Sequence, residues 1–356
     1  MANEEAVLET QNQEPEVKNE NPEPEVSQET VKKHRHFLSK PLFKQSFKAN
    51  WVLWLVMSVG CAAIFVIINL VIGSKDIFTN IKMDEVSNYV KEENMNWLQI
   101  LGLLEKMGFS LSRIQVMSQI DLNAIMNDLI YKIAGVMLPM IYVMVVSNKL
   151  VASQVNDGSM AYVLSTPTNR KTVVRTQFIF LFISVTAMYV IITACALGSE
   201  AIANAIKLAN NPEATNVRLP LRSILYCLGS YVSILALGGI CFGASCYFNK
   251  SSNATVVGGG VCVVSFLACI LGLFGSKVFV AVGVGVEAMS IFDYFSMFTL
   301  IDTESMSNFA KAINENAFDY YKGVYNWTWK MAIMVVIFLA FSYAGGRYFT
   351  KKDLPL

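Results

Sequence analysis

Six apolar runs constrain this chain more than anything else in it: Trp51 to Gly73, Ile125 to Ser147, Phe178 to Leu197, Ile224 to Tyr247, Val256 to Phe274 and Trp329 to Tyr348. Each holds about 20 residues, which at 1.5 Å of helical rise per residue matches a hydrocarbon core of about 30 Å. The expected fold is therefore all-α, a polytopic membrane protein of six transmembrane helices. Composition agrees, since 54% of residues are hydrophobic and only 15% charged, a balance that a soluble chain of this length does not show.

An even number of spans puts both termini on one side, and Lys and Arg decide which. Leaving out the acidic start, the N-terminal side carries 14 basic residues against two acids, Asp157 and Asp353; the rest of the chain carries 13 against 16 acids, nearly all in the much longer loops of the other side. Both termini are thus expected in the cytoplasm. Residues 1–31 hold nine Glu against one Lys with no apolar periodicity, the composition of a disordered tail. In residues 32–50 the charge reverses. Lys40, Lys44 and Lys48 flank Leu38, Leu42, Phe43, Phe47 and Trp51, the pattern of a helix lying among inner headgroups and holding anionic membrane lipid. A plain positive anchor for the first span explains the same residues.

The membrane-spanning region is expected over 51–356, with two large outer segments, 74–124 and 275–328, read as short helices over the outer mouth. Within the second, 275–286 is ambiguous between a re-entrant and an interfacial piece. Gly239 and Gly243 in the fourth span stand four apart, and Gly258, Gly259 and Gly260 form a run in the fifth; small residues let helix backbones approach closely, so these are helix-packing candidates. The seven Cys fall in or beside apolar runs without a CxxC pair or a nearby His, and read as packing residues with no disulfide or metal role.

The interval between the second and third runs, Asn148 to Gln177, carries Lys149, Arg170, Lys171 and Arg175 against the single acid Asp157. Leu150, Val151, Val155, Ser159 and Tyr162 recur near helical spacing; Gly158 weakens that helix, Pro167 is expected to end it near Thr166, and Thr168 stands where a cap for the next helix would. The residues alone fit either a short docking helix or an ordinary charged loop. Asp157-Gly158-Ser159-Met160, then Tyr162 to Pro167, then Arg170, resemble the loop after the second span in permeases of the ABC type-2 transporter family. The closing Phe349 to Leu356 is similar to tails of bacterial members. The resemblance implies that a short helix around Gln154 to Leu164 docks on a cytoplasmic ATPase subunit. The coupling residues it points to are Gln154, Asp157, Gly158, Ser159, Met160, Tyr162, Leu164, Pro167 and Arg170. Gln154 stands where family members often carry an acid. The resemblance also implies a second permease copy or a similar permease as partner.

The chain has no Gly-x-x-x-x-Gly-Lys-Ser/Thr loop, and its two His both lie near the N-terminus, at 34 and 36. ATP hydrolysis, with ATP and magnesium, is thus expected in a partner subunit; this chain is expected to be no enzyme, to hold no cofactor and to bind no nucleic acid. No acid or base falls in the middle of an expected span, which counts against an ion-coupled carrier. Two other readings stay open: an ATPase-independent carrier or channel, and a non-transporting envelope scaffold.

Overall fold

Apolar length and scarcity of charge turn the described part of each of the six runs into a helix in the computed structural model, which describes residues 38–74, 131, 135–165, 168–210, 219–275, 280, 285–315 and 323–352. All of these lie in the unit His36–Leu356. In chain order the helices are α1 (Lys40–Ser74), α2 (Gly135–Leu150), α3 (Ala152–Asn156), α4 (Ser159–Ser165), α5 (Arg170–Asn210), α6 (Pro220–Tyr247), α7 (Ser251–Phe274), α8 (Thr303–Glu315) and α9 (Asn326–Lys351). Six of the described helical stretches are long and apolar enough to cross a membrane: α1, α2 with α3, α5, α6, α7 and α9. The chain is an all-α, polytopic membrane protein. The expected N-terminal tail and nearly all of the 74–124 segment lie outside the described residues.

The basic stretch before the first span does not form a separate interfacial helix within its described part. Lys40 to Ser74 is one unbroken helix, because nothing between Pro41 and Trp51 interrupts helical hydrogen bonding and one face of the stretch is already committed to the bundle. On that face Leu42, Ser46 and Asn50 are buried. The Ser39 N–H donates to Thr176 Oγ1 at 3.1 Å and Ser46 Oγ donates to Gln177 Oε1 at 2.8 Å. Further along the helix Trp54 Nε1 donates to Ser184 O, and Asn69 Nδ2 donates to Ala196 O and Ser199 Oγ. Both partners therefore ascend together, and α1 lies parallel to α5. Lys40, Lys44, Lys48, Phe47 and Trp51 point outward, whereas Phe43 turns in and meets Phe180 edge-on at 5.5 Å.

Helix α6 is the centre of the bundle. Tyr226, Cys227, Gly229 and Ser230, then every residue from Val232 to Gly243, are buried, and α2, α5, α7 and α9 surround it. Against α9 it packs almost backbone to backbone. A Cβ added at Gly239 would stand 2.6 Å from Phe338 O, one at Gly243 2.8 Å from Phe341 O, and one at Gly345 2.6 Å from Gly243 Cα. Of the other glycines singled out in the sequence, Gly258 faces Cys241 of α6, Gly259 faces the Met144 thioether, and Gly260 meets nothing within 4 Å.

Pro139 stands inside α2 and has no N–H to give to the carbonyl of Gly135 four residues back. The Tyr189 hydroxyl of α5 donates to that carbonyl instead, at 2.9 Å, so the apolar interior holds no orphaned acceptor there.

Helix α5 runs 41 residues, about 60 Å at helical rise, well past the expected end at Leu197. The extension carries Glu200 inside the described helix, three residues past the expected end of the span and only 3% exposed. Apolarity fades after Leu197, but the Asn69–Ser199 bond and the packing of α1 hold the backbone helical. Beyond α7 the chain folds back along that helix. The Val286 N–H donates to Phe274 O, a 3₁₀ turn spans Glu287–Phe295, and the Met297 N–H donates to Ser265 Oγ at 2.8 Å. Ser265 lies ten residues before Gly275, so the return reaches about 15 Å down α7; this part of the outer segment lines the bundle rather than only capping it. Asp302 and Lys330 then pair between this return and α9.

Candidate functional site

The polar interval between α2 and α5 leaves the span through a one-residue break at Val151, giving α3, and turns at Gly158 into α4. One short helix was expected here; two are found, because Gly158 adopts φ of +71°, a left-handed conformation that interrupts an α-helix and that glycine reaches without a Cβ penalty. The Gly158 N–H still donates to Val155 O, and the Ala161 N–H to Gly158 O, so the bend is hydrogen-bonded on both sides.

The two faces of this bend differ sharply. Val155 and Met160 are buried, the latter completely, and Val163 and Leu164 pack against the core. Asn156, Asp157, Gly158, Ser159, Tyr162 and Ser165 are exposed, with Tyr162 at 81%. In a seven-residue helix, residues 160, 163 and 164 share one face and 162 and 165 another, so the sequence itself separates an anchoring side from a presented side. The Asp157 carboxylate is engaged locally, accepting from Ser153 Oγ at 3.1 Å and Asn156 Nδ2 at 3.2 Å; Ser159 Oγ donates to Gln154 O. The Gln154 Oε1 is buried with no hydrogen-bond partner.

Of the nine residues singled out in the sequence, Asp157, Gly158, Ser159 and Tyr162 are thus presented together. Met160 and Leu164 are the seat beneath them, Gln154 is half-buried, and Pro167 lies outside the described residues. Arg170 stands apart from the presented face: its Nη1 donates to Lys352 O at 2.9 Å. Thr168 does not cap α5. Its hydroxyl donates to Val163 O at 2.9 Å, closing the end of α4, while the Asn169 carbonyl takes the first helical bonds of α5 from the Thr172 and Val173 N–H groups. A side-chain oxygen before an apolar run signals a cap in sequence, but here the helix starts one residue later than that rule places it.

Sequence reasoning missed the partners of this segment on α6 and α7. The Ala152 N–H, an orphan donor at the start of α3, donates to Ser245 Oγ at 2.9 Å, and Asn148 Nδ2 donates to Ser251 Oγ at 2.7 Å and Thr255 Oγ1 at 2.8 Å. It also missed Lys352, whose Nζ donates to Cys246 O at 3.0 Å and Tyr247 O at 2.9 Å. Burial pulls the Lys352 ammonium below its ordinary value, and the neighbouring Cys246 works in the opposite direction. Asn148 and Lys352 carry no sequence signal for these bonds, because their partners lie about a hundred residues away.

Six described helical stretches of membrane length, a bent polar segment presented between the second and third of them, and a central glycine-packed span define a polytopic helical membrane protein. The family model described as "ABC-2 family transporter protein" matches residues 43–354, and the chain belongs to that family. No curated protein and no solved structure matches it. ABC-2 membrane subunits are normally non-enzymatic and generally work with an ABC ATPase.

Proposed function

We propose that this chain is the membrane-spanning permease subunit of an ATP-driven exporter in a bacterial cell membrane, oriented with both termini in the cytoplasm. A separate ATPase subunit, which binds ATP and magnesium, docks on the bend formed by α3 and α4. Two permease copies, or this chain and a similar permease, complete the path. The observation that carries the reading is the presentation of Tyr162 and its neighbours over a buried Met160 seat at the basic end of the bundle. A large aromatic left exposed outside the apolar spans is the kind of anchor that protein interfaces use. The spans are apolar almost throughout, which favours an amphipathic or hydrophobic cargo such as a lipid, peptide or drug over a small ion.

Affinity purification from native membranes tests this reading. The wild-type chain is expected to bring down a phosphate-loop ATPase, and a chain altered from Asp157 to Met160 is expected to lose it. Recovery of no ATPase, under conditions that preserve a known permease complex, would overturn the reading.

Glu200, buried in α5 just past its apolar run, favours one alternative, an ion-coupled carrier, because a buried carboxylate on a span helix is the group such carriers use. That alternative predicts gradient-driven transport by the purified chain alone, abolished by Glu200→Gln.

A further inference from the structure

Both ends of the polar segment that carries the α3–α4 bend, from Asn148 to Arg170, are fastened to one short stretch of chain, residues 245–255, which is the end of α6, the turn after it and the start of α7, together called the α6–α7 turn below. The leading end is tied through Ala152 to Ser245 and through Asn148 to Ser251 and Thr255. The trailing end is tied through Arg170, which holds the Lys352 carbonyl, and through the Lys352 ammonium, which holds the carbonyls of Cys246 and Tyr247. Those two carbonyls are among the last four of α6, which have no partner within their own helix, and a cation at that end also complements the helix dipole. Tyr348 stacks on Tyr247 with ring centroids 4.5 Å apart, and Lys352 Nζ sits 5.9 Å from the Tyr348 ring and 5.7 Å from the Phe349 ring, so the end of α9 is seated on the end of α6 by more than one lysine.

We propose that Lys352 is a positioning residue: its ammonium and its carbonyl together close a latch that makes the α6–α7 turn the receiver of any movement of the α3–α4 bend. Without the latch the trailing end keeps only the looser seating of α9 on α6 through Tyr348 and Tyr247, and a push on Tyr162 is passed to the turn mainly through Asn148 and Ala152. With it, both ends move the same turn, and α6 follows because α2, α5, α7 and α9 all pack on it. This inference rests on the proposed docking of an ATPase for the origin of the push, but the latch itself does not.

Hydrogen exchange on the full chain in lipid nanodiscs tests the latch without any partner. Lys352→Met keeps the apolar stem and removes the donors. It is expected to speed exchange at least about tenfold at the Phe248 and Ala254 amides, on the receiving turn, and at Thr172 and Val173, at the start of α5, while α2 stays unchanged. Lys352→Arg is expected to restore wild-type exchange. Should Lys352→Met not insert, Arg170→Gln cuts the other arm and is expected to loosen residues 172 and 173 and the Lys352 amide. Unchanged exchange at either the turn or the start of α5 in Lys352→Met overturns the latch, the former making Lys352 a surface lysine and the latter a simple cap of α6. In the complex with a co-purified ATPase, addition of ATP is expected to alter exchange both in residues 153–165 and in the turn for the wild type, and in residues 153–165 alone for Lys352→Met. A nucleotide response that still reaches the turn in the variant overturns the latch. Absence of any co-purified ATPase overturns the docking proposal and leaves the nanodisc result standing.

Discussion

Replacing Gly239 with alanine and, separately, Gly260 with alanine perturbs two glycines of neighbouring spans in opposite directions. At Gly239 the new Cβ would lie 2.6 Å from Phe338 O and 2.7 Å from Phe338 Cα. Both are backbone atoms, so no side chain can turn aside, and α9 must retreat by close to 1 Å to restore ordinary van der Waals contact. Overpacking of this kind costs about 1–3 kcal/mol; alanine's higher helix propensity returns at most about 1 kcal/mol. At Gly260 nothing lies within 4 Å, so only the propensity gain remains. The two variants are therefore expected to differ by about 1–3 kcal/mol, with Gly239→Ala below wild type and Gly260→Ala level with it or above. Thermal unfolding of the purified chain in one fixed detergent, followed by near-ultraviolet circular dichroism, reads the order directly. Equal midpoints, or a lower midpoint for Gly260→Ala, would refute the claim that α6 and α9 touch through backbone.

Three further outcomes follow from particular residues. Gly158→Ala is expected to cost about 1–2 kcal/mol from its positive φ alone, since its Cβ would project into open space. Gly158→Pro, which cannot adopt that φ and removes the N–H given to Val155 O, is expected to abolish ATPase retention in pull-downs while the chain still inserts into membranes; full retention would count against the bend as the docking element. Burial alone would raise the Asp302 carboxyl, but hydrogen bonds from Lys330 and Ser305, with the charge of Lys330, hold it below the ordinary 3.8. A carboxyl lowered by folding stabilises the fold above its unfolded value and loses that contribution as pH falls through the lowered one. Acid unfolding is therefore expected to be shallower below about pH 3.8 in Asp302→Asn, whose stability at neutral pH is expected to be lower by about 1–3 kcal/mol. Identical acid titrations of the two proteins would remove the pair from the account.

Spans were legible in the sequence because a bilayer core demands length and apolarity, and both can be read one residue at a time. Their ends were less so. Lys40, Lys44 and Lys48 read as leaving the membrane, yet the helix passes through them unbroken because Leu42, Ser46 and Asn50, each two residues further on, form a buried face toward α5. At Leu197 the apolar pattern stops while the helix continues to Asn210. The presented face of the bend was legible in part: Gly158 was read as a weak point, and its positive φ turns that weakness into a corner between two helices. Gly239 and Gly243 were visible as a close-packing pair, but Gly345, the residue of α9 that makes room for Gly243, was not, because the adjacent Gly345 and Gly346 lack the four-residue spacing that signals a packing face. The links from Ala152, Asn148 and Lys352 to the α6–α7 turn join residues far apart in sequence through neutral hydroxyls and backbone carbonyls, which periodicity and charge patterns do not register.

The central claim is that the α3–α4 bend is where an ATPase subunit meets this chain. A photo-crosslinking residue placed at Tyr162, the exposed aromatic of that bend, reports on it directly in native membranes, with the same residue at Tyr294, beside the opposite end of α7, as the comparison. The account predicts a crosslinked phosphate-loop ATPase from position 162 and none from position 294. No ATPase adduct at 162, or equal adducts at both positions, would contradict it.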